Sequence, residues 1–414
     1  MKDRIIENIH HPEHLEQLYR ENKKAFSESF AQIQEEYDSE LVRFWKIRLA
    51  EGDGEKGISL VSKDVWVVVF LGLVSWVLLK LPAIWGQINE ELFYQRGLAI
   101  IVFNGIILFT MWQNRDFNKK NILTYGLPLA FVALFISLLP KSGGDSIVLA
   151  LIHTPLFLWC LFGLAYMGFD YKNMHNRMAF IRFNGELLIM TGLILIAGAM
   201  LTGITIGLFS AISMDIEHFY VEYIATLIGM AAPLVSLYLI SLNPTLTRKI
   251  APIIARAFTP LVLITLAVYL VSLVFSGSQI LDDRNLLLVL NIMLIAVVAI
   301  IVFSVSELDK QKEKNIHVLI LFMLAALAIV VNAIALVGIT SRVAGGLTPN
   351  RTVVLVFNLL IFVNLILMTR NLLKSYYDRR QLVSVEQTVA SYLTVYAGWV
   401  VVVIFILPFI FGMQ

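Results

Sequence analysis

From residue 65 onward, long uncharged stretches alternate with short charged clusters. Roughly eleven stretches meet or approach the ~20 residues that a helix needs to cross a hydrocarbon core. They run Val65–Leu81, Gly97–Trp112, Leu123–Leu139, Ser146–Met167, Leu187–Ser210, Tyr220–Leu242, Phe258–Phe275, Asn285–Val305, His317–Ile339, Val353–Met368 and Ala390–Phe411. Their apolar residues are continuous rather than alternating, and the runs exceed the ~10 residues of a barrel strand. A helix also pairs its backbone N–H and C=O groups within one segment, as lipid requires. The pattern predicts an all-α fold, a polytopic membrane helix bundle at residues 64–414. A small helical cytoplasmic module and linker are expected at residues 1–63.

Within that module, Pro12 suits the first turn of a helix, with Glu13 and Glu16 near its positive end. Leu15, Leu18 and Tyr19 give it an apolar stripe. Phe26, Phe30, Ile33, Tyr37, Leu41 and Phe44, with Trp45 adjacent, continue at helical spacing. Asp38-Ser39 is a capping pair that can break this stretch in two, and Glu51–Gly57 reads as a linker. The module is either a docking or sensing device or a cap that packs on its own bundle.

Basic residues set orientation. The even-numbered connections hold sixteen Lys and Arg, and the odd-numbered ones hold five. The alternation predicts a bacterial inner-membrane protein with its N-terminus in the cytoplasm and its C-terminus outside. A missed span would invert the pattern from that point on, and no inversion occurs. The polar leader has no short apolar core, so the first span is expected to serve as an uncleaved signal. Lys80, at its end, is expected to snorkel outward.

Composition narrows the classes. Hydrophobic residues make up 58% and charged residues 15%, against about half and about a quarter in soluble domains. A soluble enzyme or a nucleic-acid coat is excluded, and the net charge of +2 recruits no acidic partner. The single cysteine, Cys160, allows no internal disulfide and no cysteine cage for a metal. The expected partners are membrane lipids, and a second copy or a cytoplasmic protein through residues 1–63. No cofactor and no nucleic acid are expected.

Candidate chemistry is sparse. His10, His11 and His14 suggest a metal cluster, but Pro12 interrupts it, and surface histidines are the simpler reading. Glu186 and Glu222 sit at span ends, where hydration suffices. His153 is deeper, before Thr154-Pro155, and either lines a cavity or makes a packing contact. No Asp, Glu, Lys or Arg lies at a span centre, which argues against carboxylate relays. Asn104, Asn291, Asn332, Asn358 and Asn364 read as interhelical glue, with Asn332 and Asn364 able to share a seam. Gly203 and Gly207 form a small-xxx-small pair for a close helix contact or a dimer seam. Lys249–Phe258 and Leu372–Leu382 mix apolar and basic residues, as interfacial segments or simple anchors do. No nucleotide loop, zinc-helix motif or nucleophile elbow is present, so catalysis is not expected.

Between the ninth and tenth spans runs Ser341-Arg342-Val343-Ala344-Gly345-Gly346-Leu347-Thr348-Pro349-Asn350-Arg351. Thr348 suits a helix N-cap and Pro349 the first helical position. Arg351 opposes the dipole of the helix it opens, so it should pair with an acid or an anion. The stretch resembles the Arg-x-x-x-Tyr-Gly-Leu-Thr-Pro-Asn-Arg signature of the bacterial domain-of-unknown-function 4153 family of polytopic membrane proteins. Gly345 replaces the tyrosine. The opening His11-Pro12-Glu13-His14-Leu15-Glu16-Gln17-Leu18-Tyr19-Arg20 is similar to the leader of members with a cytoplasmic helical segment. The resemblance implies location and architecture, not activity. The candidate binding residues are therefore His153, Arg342, Asn350 and Arg351. Three functions stand open: a small-solute transporter or channel, a sensor or scaffold acting through residues 1–63, and a membrane-embedded enzyme on lipid-linked substrates.

Overall fold

The computed structural model describes residues 2–9, 11–21, 26, 29–30, 32–33, 37, 39–50, 63–141, 144–211, 214–242, 259–260, 262–264, 266–268, 270–271, 284–307, 315–378 and 382–413. The expectations for His10, the linker at 51–57, Lys249–Phe258 and part of the span Phe258–Phe275 lie outside the described residues. Two compact units are present, Met1–Leu60 and Val61–Gln414.

The first unit contains α1 (Lys2–Glu7), α2 (Pro12–Glu21) and α3 (Glu40–Ala50). Pro12 opens α2, where its missing N–H costs nothing. Ser39 caps α3, its Oγ accepting from Val42 N at 3.2 Å. Leu15, Leu18, Tyr19, Phe26, Phe30, Ile33, Val42 and Trp45 are buried together. The Trp45 ring lies 4.9 Å from that of Phe26 and 5.3 Å from that of Tyr19. One expectation is corrected here. Trp45, not Phe44, faces the core, because the new helix started by Ser39 resets the phase of the apolar stripe.

The second unit contains α4 (Lys63–Leu79), α5 (Leu81–Ile84), α6 (Glu90–Asn114), α7 (Lys119–Leu138), α8 (Asp145–Tyr166) and α9 (Met174–Ala211). There follow α10 (Glu217–Leu242), α11 (Arg284–Ser306), α12 (Asn315–Ala344), α13 (Pro349–Tyr377), α14 (Leu382–Phe405) and α15 (Leu407–Ile410). Among the described residues, eight helices are long and apolar enough to cross a membrane: α6, α7, α8, α9, α10, α12, α13 and α14. The protein is thus an all-helical, multi-pass membrane bundle. Helix α4 has 17 residues, just short of the usual span. Helix α11 has an apolar stretch at Leu290–Ser306. Large apolar side chains point outward, among them Phe70, Phe131, Leu138 and Leu188, the last 76% exposed. A water-soluble surface avoids such patches, whereas acyl chains accept them.

Two buried clusters form inside the bundle. The first draws on α4, α6, α7, α8 and α10, and the second on α11, α12 and α13. Helices α9 and α14 tie them together. Phe180 and Phe183 of α9 face the first cluster, while Met178 and Ile181 face the second. Along α14, Val385 and Val389 pack in the second, and Val400 and Ile404 in the first. Helix starts follow their capping residues: Asn89 Oδ1 accepts from Leu92 N, and Asn118 Oδ1 from Asn121 N. Gly203, expected at a close helix contact or a dimer seam, has open space beside it within this chain, whereas Gly185 lies against Phe303.

Candidate functional site

The connection between α12 and α13 is a cap for two helices at once. Thr348 Oγ1 accepts from Arg351 N at 3.3 Å, and Pro349 takes the first helical position. Gly346 has φ +123°, a conformation only glycine adopts freely. Arg351 Nη1 donates to Arg342 O at 2.9 Å and Gly346 O at 2.8 Å. Its charge therefore serves the negative end of α12, which resolves why a cation opens α13. Asn350 Nδ2 donates to Asp145 Oδ2 at the start of α8. Arg351 and the backbone of Arg342 and Gly346 thus meet in one joint, which Asn350 ties to Asp145. His153 is elsewhere: two turns along α8, half-buried, its Nδ1 2.8 Å from Leu149 O in the same helix. Thr154 Oγ1 likewise bonds back to Ala150 O at 2.9 Å.

The amides knit the second cluster. Asn332 Nδ2 donates to Asn358 O at 3.0 Å, and Asn358 Nδ2 to Asn291 Oδ1 at 2.7 Å. Asn364 Nδ2 donates to Tyr396 OH at 2.9 Å. The seam expected between Asn332 and Asn364 is therefore drawn instead between Asn332 and Asn358. The two reach one another because they lie at equal depth on antiparallel helices.

The strongest charged site lies where α4 meets α10. Residues Tyr220–Ala225 of α10 form a π-helical turn. The extra residue in such a turn shifts side-chain register, and such turns recur at functional sites. Here it carries Glu222 and Tyr223 against α4. Lys80, almost fully buried, places Nζ 3.5 Å from Glu222 Oε1 and 4.8 Å from the Tyr223 ring centroid. The snorkelling expected of Lys80 is corrected: the half-buried carboxylate of Glu222 takes the place of water. His218 Nδ1 lies 3.3 Å from Glu222 Oε2. Trp76 Nε1 donates to Thr226 Oγ1 at 3.1 Å and pins the two helices. An open pocket of about 560 Å³ adjoins the cluster, lined by Asp215, Glu217, His218, Val221, Glu222 and Thr226. Its three carboxylates and broad mouth suit a small cation, not an anion.

A second charged cluster joins α9 to the end of α11. Arg182 directs Nε and Nη2 at Ser306 O, the former at 2.9 Å. Glu307 is the first residue beyond α11 and outside the spanning segment, with its side chain 6% exposed. Burial raises its pKa to about 7, Arg182 opposing and Glu186 reinforcing the shift. Glu186, one turn beyond Arg182, is itself buried. Sequence reading flagged Glu186, Glu222 and Lys80 singly but passed over Glu307, which directly follows an apolar run and so reads as a loop residue.

His11 and His14 are exposed, with ring centroids 5.8 Å apart. Among the described residues, no group of three or more His, Cys, Asp or Glu is placed to hold a metal. Compared with known proteins, the chain matches no family model, no curated protein and no solved structure.

Proposed function

We propose that this multi-pass membrane protein is a transporter- or channel-like carrier of a small cationic solute, with the π-helical Glu222 site as its outward-facing docking point. The carrying observation is the juxtaposition of a buried Lys80, paired with the half-buried Glu222, and an open acidic pocket of about 560 Å³. A charge buried among lipid-facing helices is costly to keep and marks a solute path more often than a scaffold. An ion pair that a cation can compete for is a natural first binding step.

The orientation rests on charge alternation, and the cross-helix contacts support it. Trp112 bonds Asp64, Arg96 bonds Pro140 O, Asn114 bonds Ala165 O, Asn350 bonds Asp145 and Arg177 bonds Thr394. Lys80–Glu222 and Arg182–Glu307 behave alike. Each contact joins segments that the alternation places on one side of a bacterial inner membrane. Among the described residues, none joins opposite sides. Membership of the 4153 family belongs to the same proposal, since the residues behind the likeness build the α12–α13 joint.

The test is uptake of radiolabelled methylammonium into proteoliposomes containing the full chain. Glu222→Gln is expected to lower initial uptake several-fold while leaving the helix content unchanged. Uptake no higher than in protein-free vesicles, or equal in wild type and variant, would sink the reading. A second reading has its own support: the separate aromatic core of Met1–Leu60 suits a sensing or scaffolding module. Deleting that unit should then abolish the biological output while leaving methylammonium flux intact.

A further inference from the structure

We infer that the pocket where α6, α7 and α8 meet binds the phosphate headgroup of an anionic phospholipid, with Arg96 and Lys141 as its cations. The pocket shares no lining residue with the one beside Glu222, and the inference does not depend on the transport reading.

The pocket has a volume of about 310 Å³, and its lining includes Asn89, Glu91, Gln95, Arg96, Lys141 and Val148. Helices α6 and α8 begin beside it and α7 ends there. The ends of spanning helices lie at the depth of lipid headgroups. Arg96 reaches from α6 to the end of α7. Its Nη1 donates to Ser137 O at 3.0 Å, and its Nη2 to Leu139 O at 3.0 Å and Pro140 O at 2.9 Å. These partners are neutral carbonyls, so they hold the guanidinium in place without matching its charge. The buried Nε–H has no partner. Lys141 is exposed and, among the described residues, makes no ion pair.

The acids at this end do not cancel the two cations. Glu91 lines the pocket, and its Oε1 accepts from Gln95 Nε2 at 3.1 Å. Asp145, at the start of α8, is engaged by Asn350, and Glu90 is outside the lining. Arg96 and Lys141 against Glu91 leave one positive charge in the lining. Asn89 Oδ1 is taken by Leu92 N, which leaves its Nδ2 as a further donor. Cations and N–H donors together recognise a phosphate oxygen.

The walls select a lipid over a free phosphate. Val148 lines the pocket, and Ile152 and Leu156 follow it at four-residue spacing on α8. All three are exposed, so one apolar stripe runs from the pocket along the outside of the helix. A phospholipid uses both features, the headgroup in the charged pocket and an acyl chain along the stripe. A free phosphate uses the first alone.

Native mass spectrometry of the full chain, supplied with equal amounts of phosphatidylglycerol and phosphatidylcholine, tests this. The two lipids share the phosphate and the chains, but phosphatidylcholine adds a cation that Arg96 and Lys141 repel. Wild type is expected to retain phosphatidylglycerol in preference. Lys141→Gln should lower that preference about fivefold, the weight of one basic residue at an anionic headgroup. Glu91→Gln, which removes the carboxylate of the pocket, should raise it. Lys120→Gln, at the opposite end of α7, should leave it unchanged. Excess glycerol 1-phosphate should not displace the lipid, and displacement would overturn the lipid assignment by showing that the phosphate alone is recognised. Equal retention of the two lipids by wild type would overturn the site, as would an unchanged preference in Lys141→Gln. Equal losses in Lys141→Gln and Lys120→Gln would overturn it too, since any surface lysine would then serve.

Discussion

Replacing Trp45 by alanine is expected to unfold the N-terminal unit and leave the membrane bundle standing. Trp45 is 1% exposed and lies against the rings of Tyr19, Phe26 and Phe30. Removing a large buried aromatic costs about 3–5 kcal/mol. A unit of this size has a thin core, and its total stability is of the same order, roughly 5 kcal/mol. The loss therefore consumes nearly all of it. The buried clusters of the bundle are built from its own residues, and Trp45 belongs to the cluster of the first unit. Hydrogen exchange on the full chain gives both answers in one experiment. Protection should vanish across α1, α2 and α3 and persist in α6 to α14. Retained protection in the first unit would mean that the aromatic cluster is not its core.

Gly185→Ala is the second substitution expected to act strongly. A Cβ built there would fall far inside van der Waals distance of two ring atoms of Phe303. No real contact survives at that distance, so the ring or the helix must move. Overpacking of this kind costs about 1–3 kcal/mol. The position is sensitive for a second reason. Arg182 and Glu186 flank it on α9, and Ser306 and Glu307 follow Phe303, so a shift at the glycine also displaces the charged cluster. The expected result is a lower melting temperature in detergent, largely restored by Phe303→Ala in the same chain. Contacting residues couple in this way, whereas distant ones add. Equal and additive losses in the double variant would show that the two residues do not touch.

Sequence alone carried the architecture a long way, and for a clear reason. Span position depends on how many consecutive residues tolerate lipid, a property each residue contributes by itself. Helix starts are local as well, which is why Pro12, Ser39, Thr348 and Pro349 fall where the chain turns helical. Pairing across helices is a different matter. A span that is apolar all round has no preferred face, so its rotation is set by neighbours that periodicity does not reveal. Arg351 illustrates this. Its conflict with the dipole of α13 was visible, but the carbonyls of α12 that resolve it become neighbours only in the folded turn. Lys80 and Glu222, 142 positions apart, each looked like a hydrated end residue until the π turn brought them together. Glu307 gave no signal, because its burial comes from α9.

The account stands or falls on orientation: an odd number of crossings, with the two ends of the chain on opposite sides of the membrane. Single cysteines at Lys46 and Gln414, in a Cys160→Ser background, report both ends to a membrane-impermeant maleimide. In intact cells the cysteine at 414 should label at once, and that at 46 only after permeabilisation. Labelling of both positions from the same side would contradict the topology, and with it the outward placement of the Glu222 pocket.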